Sequence, residues 1–87
     1  MNNELMDLLD ETIQDLDEGG LEDIAEQLYA IAYDTEWPSE QEMVEEIGRE
    51  ILRVQARRGE EIPAEITNRM ARCLEIVRRM RPDMQME

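Results

Sequence analysis

Apolar residues recur at helical spacing along almost the whole chain. Leu5, Leu9, Ile13 and Leu16 stand at i, i+4, i+8 and i+11, with Leu8 widening the stripe, so a helix over about 3–18 has one apolar face. Asn2 or Asn3 can cap it by accepting a hydrogen bond from a free first-turn N–H. Gly19-Gly20 ends it, because glycine takes a left-handed cap conformation without a Cβ clash. Leu21, Ile24, Leu28 and Ile31 mark a second helix over about 21–34, and Ala25 and Ala32 allow a neighbour to approach closely. Tyr29, Tyr33 and Trp37 lie four apart along its edge. The stretch from Thr35 to Pro38 is a linker, since the residue before proline avoids helical geometry. Ser39-Glu40-Gln41-Glu42 is a capping box, and it opens a third helix with the stripe Met43, Val44, Ile47, Ile51 and Val54. Gly48 costs that helix about 1 kcal/mol of propensity, which predicts a close crossing there. Arg57 and Arg58 suit the negative end of the helix dipole, and Gly59 follows as a stop. Pro63 fits the first turn of a fourth helix with the stripe Ile66, Met70, Cys73, Val77 and Met80. Pro82 closes it, and residues 83–87 are expected to fray.

Four amphipathic helices on short connections predict an all-α fold, a small antiparallel helical bundle forming a single domain over residues 1–82. Its expected core contains Leu9, Ile13, Leu28, Ile47, Ile51, Met70, Cys73 and Val77. The stripes of the third and fourth helices are long enough to continue into a homodimer interface. No alternating strand pattern and no internal repeat interrupts this reading. Eighty-seven residues suffice for one modest core. No apolar run of about 18 residues and no signal-peptide pattern occurs, so a cytoplasmic protein away from membranes is expected. Cys73 is the single cysteine, which excludes an intrachain disulfide and fits a reducing compartment.

Charge sharpens the picture. The formal net charge is −14, and it is distributed unevenly. Residues 1–48 hold sixteen of the 23 acids and no lysine, arginine or histidine, whereas all nine cations are arginines between Arg49 and Arg81. Such a balance repels nucleic acid and anionic membranes and attracts a basic protein surface. The first helix alone carries Glu4, Asp7, Asp10, Glu11, Asp15, Asp17 and Glu18, one charge per about 3 Å of axis, close to the ~3.4 Å spacing along one DNA strand. Asp7–Glu11 and Glu11–Asp15 are like-charge pairs at i,i+4. Asp15, Asp17 and Glu18 crowd a helix C-terminus where anions are disfavoured. Local rules broken without compensation often mark function. In the other half of the chain, Glu45–Arg49, Glu65–Arg69 and Glu75–Arg79 are expected i,i+4 ion pairs, and some arginines can reach helix 1 or 2.

The residues expected to bind a partner are therefore Asp7, Asp10, Glu11, Asp15 and Glu18 on the first helix, and Glu22 and Glu26 on the second. Tyr33 and Trp37 are candidate anchors, because these residue types dominate interface hot spots. Trp37 has an alternative role as a cover over the open end of the bundle. Catalysis has little to draw on. Without histidine or lysine, and with Ser39 assigned to a cap, no zinc site, Schiff-base lysine or Ser-His triad can be assembled. Cys73 belongs to a buried stripe. No cofactor is expected.

Three resemblances bear on function. Asp15, Asp17, Gly20 and Glu26 fall on positions 1, 3, 6 and 12 of an EF-hand loop, but Gly19 and Glu22 stand where a ligand and an apolar residue belong. Glu22-Asp23-Ile24-Ala25-Glu26 resembles the E-E-x-x-E element of the all-α, MazG-like nucleotide pyrophosphohydrolases. Glu45-Glu46-Ile47-Gly48-Arg49 is similar to that family's E-x-x-D element, with Arg49 in the aspartate's place. This likeness, over residues 21–54, implies an Mg²⁺-dependent hydrolase. In size and charge the chain also resembles small acidic nucleic-acid mimics such as phage-encoded anti-CRISPRs, and acidic helical bacteriocin immunity proteins. That likeness implies a non-enzymatic inhibitor which occludes a basic, nucleic-acid-binding protein surface. A small acidic adaptor or structural subunit is a further alternative.

Overall fold

A computed structural model describes residues 3–82. The Asn2 or Asn3 cap and the tail over 83–87 lie outside what it describes. Helix α1 runs Asn3–Glu18, α2 Glu22–Tyr29, α3 Glu40–Arg58 and α4 Ala64–Met80. Among the described residues there is no strand, and the fold is the expected small bundle of four amphipathic helices. Helix α1 packs between α2 and α4, and α3 packs on α4. Ion pairs give the directions. Asp15 meets Arg69 and Glu4 meets Arg79, so α1 and α4 are antiparallel. Glu45 near the start of α3 meets Arg81 just past α4, so those two helices are antiparallel as well.

The turn after α1 shows how the chain reverses. Leu21 N–H donates to Leu16 C=O at 2.8 Å and Gly20 N–H to Asp17 C=O at 3.3 Å. Gly20 sits at φ +82°. These bonds form a Schellman motif, which satisfies carbonyls left over at the helix end. Leu16 and Leu21, which flank the motif, are both buried. Gly59 behaves differently. It follows α3 at φ −57° and begins a single 3₁₀ turn, Gly59–Glu61, so this stop is not a left-handed cap. At the start of α3 the expected cap is present: Ser39 Oγ accepts from Glu42 N–H at 3.3 Å. Pro63 immediately precedes α4, and its carbonyl accepts the N–H groups of Ile66 and Thr67 at 3.0 Å each.

Helix 2 is not one α-helix to residue 34. After Tyr29 it widens into a π-helical turn, Ala30–Asp34. The carbonyls freed there are claimed by side chains from the linker. Thr35 Oγ1 donates to Ala30 C=O at 2.9 Å, and the Trp37 indole N–H donates to Ile31 C=O at 2.7 Å. Trp37 is half-buried against the core, so it does cover this end of the bundle.

The core contains Leu9, Leu28, Ile47, Ile51, Met70, Cys73 and Val77, as expected. Ile13 is the exception: it is half-buried at the edge of the core. Thr12 occupies the fully buried position beside it. Its hydroxyl donates to Leu8 C=O at 2.7 Å, which removes the penalty of burying a polar group. Gly48 is buried within α3. Within the single chain the α3 stripe is buried, and so is the α4 stripe from Ile66 to Val77, with Met80 half-buried. No helix among the described residues is long and apolar enough to cross a membrane.

Candidate functional site

The acidic face of α1 divides according to what lies beside it. On the flank toward α4, Glu11 approaches Arg69 at 3.8 Å, Asp15 pairs with the same guanidinium, and Glu4 approaches Arg79 at 3.7 Å. The sequence led us to expect Arg69 and Arg79 to pair with Glu65 and Glu75 one turn earlier on their own helix. In the structure they reach across to α1 instead. Arg69 has two α1 carboxylates within reach, Glu11 and Asp15, where its own helix supplies one, and Arg79 approaches Glu4 alone. Glu45–Arg49 forms as expected, at 4.0 Å.

The outer side of α1 and the exposed side of α2 carry no such compensation. Asp7, Asp17, Glu18, Glu22, Glu26 and Asp34 are exposed and form no ion pair among the described residues. Of the candidates named from the sequence, Asp7, Glu18, Glu22 and Glu26 belong to this uncompensated set. Glu11 and Asp15 are held by Arg69. Asp10 accepts a hydrogen bond from the Tyr33 hydroxyl, and that bond pushes the Tyr33 phenol up to about 12. Tyr33 stacks at a tilt on Tyr29, ring centroids 4.9 Å apart, and both rings are nearly half exposed.

Between these helices lies a groove of about 630 Å³. Ile13, Ala25, Tyr29 and Ala30 supply its apolar surface, and Asp10, Asp17, Glu26 and Asp34 its carboxylates. Asp17, Asp34 and Ile13 are not among the residues expected from the sequence to bind a partner. The groove is made jointly by α1 and by α2 with its π-helical turn, so no one helical period announces it.

Metal chemistry gains no constellation. Among the described residues, no three acidic side chains converge on a point that could hold a metal ion. No such group joins the two MazG-like elements among the described residues. Asp23, between Glu22 and Glu26, meets Arg58 at the far end of α3, about 20 Å along that helix from Glu45 and Glu46. Glu45 is taken by Arg81 at 2.6 Å and by Arg49, and Glu46 by Arg49 and Arg53. The EF-hand positions are likewise used otherwise, with Asp15 on Arg69 and Gly20 inside the Schellman turn. Cys73 is fully buried against Thr12, and desolvation pushes its thiol up to about 11, away from the reactive thiolate. No protein-family model matches the chain, and no curated protein or solved structure is significantly similar to it.

Proposed function

We propose that this chain is a non-enzymatic acidic binding protein, docking the outer face of α1 and α2 on a basic, nucleic-acid-binding surface of another protein and occluding it. The observation that carries this reading is the one-sided compensation of α1. Its acids facing α4 have arginine partners, while Asp7, Asp17 and Glu18, continued by Glu22, Glu26 and Asp34 on the neighbouring helix, have none. Holding like charges together without counter-ions weakens a fold. An external cationic surface supplies the missing counter-charge and explains why the density is kept. Such a face steers encounter with its partner, so association is fast and salt-sensitive. Nucleic acid is then displaced by competition for the same basic residues.

The test compares wild type with the variant Asp7→Asn/Glu18→Gln/Glu26→Gln. Each is immobilised and offered a panel of basic nucleic-acid-binding proteins. Wild type should capture a subset, with association slowing steeply as salt rises, and should strip labelled DNA or RNA from the captured proteins. The neutral variant should remain folded and lose most of this capture through slower association. Equal binding of the two proteins across a range of salt would reduce the acidic face to a solubility coat.

A further inference from the structure

We infer that the groove between α1 and α2 seats apolar side chains of the partner, so that the contacting segment is an amphipathic basic helix rather than a purely hydrophilic cationic tail. The inference rests on the proposed docking face and adds the partner's chemistry to it. Acidic rims alone would accept any polycation. This groove also has an apolar floor: Ile13, Ala25, Tyr29 and Ala30 meet in a depression of about 630 Å³, a size usual for clefts that bind ligands. A hydrophilic tail would leave that floor in contact with water. Ile13 is only half-buried, the fully buried position beside it being taken by Thr12, and the exposed ring of Tyr29 stands against the same groove.

Charge complementarity completes the description of the occupant. Asp17, Glu26 and Asp34 line the groove without arginine partners, whereas Asp10 is already engaged by Tyr33. From Asp10 to Asp17 the α1 wall extends about 10 Å, two turns of a helix. A partner helix can therefore insert anchors one turn apart, at i and i+4, and turn its arginines or lysines outward onto the rim carboxylates.

Two synthetic peptides test this against the full chain. One is an arginine-rich amphipathic helix with two leucines at i and i+4. The other has the same arginines, with both leucines replaced by glutamine. Fluorescence anisotropy gives affinity over a range of salt, and methyl NMR reports on Ile13, Ala25 and Ala30. The leucine peptide should bind about ten- to hundred-fold tighter, as burial of one or two leucines requires, and should shift the Ile13 and Ala25 methyl signals. Filling the groove with Ala30→Leu should bring its affinity down to that of the glutamine peptide, which should be indifferent to the substitution. If Ala30→Leu does not fold, the wild-type methyl shifts and the ratio of affinities decide. Equal affinity of the two peptides with unmoved Ile13 and Ala25 methyls would overturn the groove inference and leave the acidic docking face standing. Failure of both peptides to bind at low salt would overturn both.

Discussion

Neutralising two different groups of acids should move stability in different ways. In Asp7→Asn/Glu18→Gln/Glu26→Gln no ion pair is lost, because none of the three has one among the described residues. Asp7 has Glu4, Asp10 and Glu11 three or four positions away, Glu18 has Asp15, and Glu26 has Glu22 and Asp23. Each like-charge neighbour at that spacing costs about 0.2–0.5 kcal/mol. Glu18 also ends α1, where an anion is disfavoured by about 0.3–1 kcal/mol. Arginines already offset part of the field at Glu4, Glu11, Asp15 and Asp23, so the net gain should be about 1–2 kcal/mol. Glu22 is left in place, since in the first turn of α2 it suits the helix dipole. In the contrasting variant, Glu4→Gln/Glu11→Gln/Asp15→Asn, the bridges to Arg79 and Arg69 are lost at about 0.2–1 kcal/mol each. Relief of repulsion is of similar size, so the balance lies between zero and about 1 kcal/mol of destabilisation. For a domain this small, 1 kcal/mol corresponds to about 4–8 °C in Tm. Thermal melts followed by far-UV circular dichroism at low salt should therefore place the first variant about 4–15 °C above wild type and the second at or below it. At about 1 M salt, where the screening length falls to about 3 Å, the melts should converge. If the second variant gained as much as the first, the bridges would not be compensating charge. If the first melted below wild type, its acids would have internal partners and the docking face would lose its physical basis.

Three further outcomes follow from the packing and the titrating groups. Met70 is fully buried, so Met70→Ala should lower stability by about 2–5 kcal/mol, seen as a lower urea midpoint with an unchanged m-value; a loss under 1 kcal/mol would mean the core is not packed as described. With Tyr29→Phe, Tyr33 is the sole tyrosine, and its phenolate absorbance should titrate near 12 in place of the usual 10. The raised value means that the bond to Asp10 stabilises the fold below pH 10 and is lost as pH rises through about 12; Asp10→Asn should return the titration toward 10, and an unmoved curve would refute the bond. Arg58 hydrogen-bonds Asp23 and Glu61 and holds both carboxyls below their ordinary values of 3.8 and 4.5, so this stabilisation is present above those values and lost as pH falls through the lowered ones. Arg58→Gln should accordingly be less stable than wild type at neutral pH and indistinguishable from it in acid.

The helices and their ends were readable because they depend on near neighbours. The i, i+4 stripes, the Gly19-Gly20 turn and the Ser39 cap each occupy a few consecutive residues, and the structure contains them all. Ile13 was misplaced because hydrophobicity ranks isoleucine above threonine for burial, whereas Thr12 removes its polar penalty locally by bonding Leu8 C=O. The π turn escaped notice because Thr35 and Trp37, which claim its carbonyls, lie beyond the helix they cap. Arg69 and Arg79 could not be assigned to α1 before α1 and α4 were known to be antiparallel neighbours. The density of the acidic face was legible residue by residue. Its division into a compensated flank and an uncompensated one was not, and neither was the groove, since both arise from the meeting of helices.

The dependence of α1 on α4 has a consequence for synthesis on the ribosome. The residues through Gly48 leave the exit tunnel carrying sixteen acids and no cation. The cations that approach α1, Arg69 and Arg79, are encoded more than twenty codons further on. At about 5–20 residues per second, at least ~1–4 s separate the emergence of Gly48 from that of Arg69. During that interval α1 lacks the arginines of its α4 flank and one of the two helices that pack against it, while Arg58 can already reach Asp23 on α2. The charge of α1 keeps it hydrated and apart from neighbouring chains, and α1 can complete its native packing and ion pairs only once α4 has emerged.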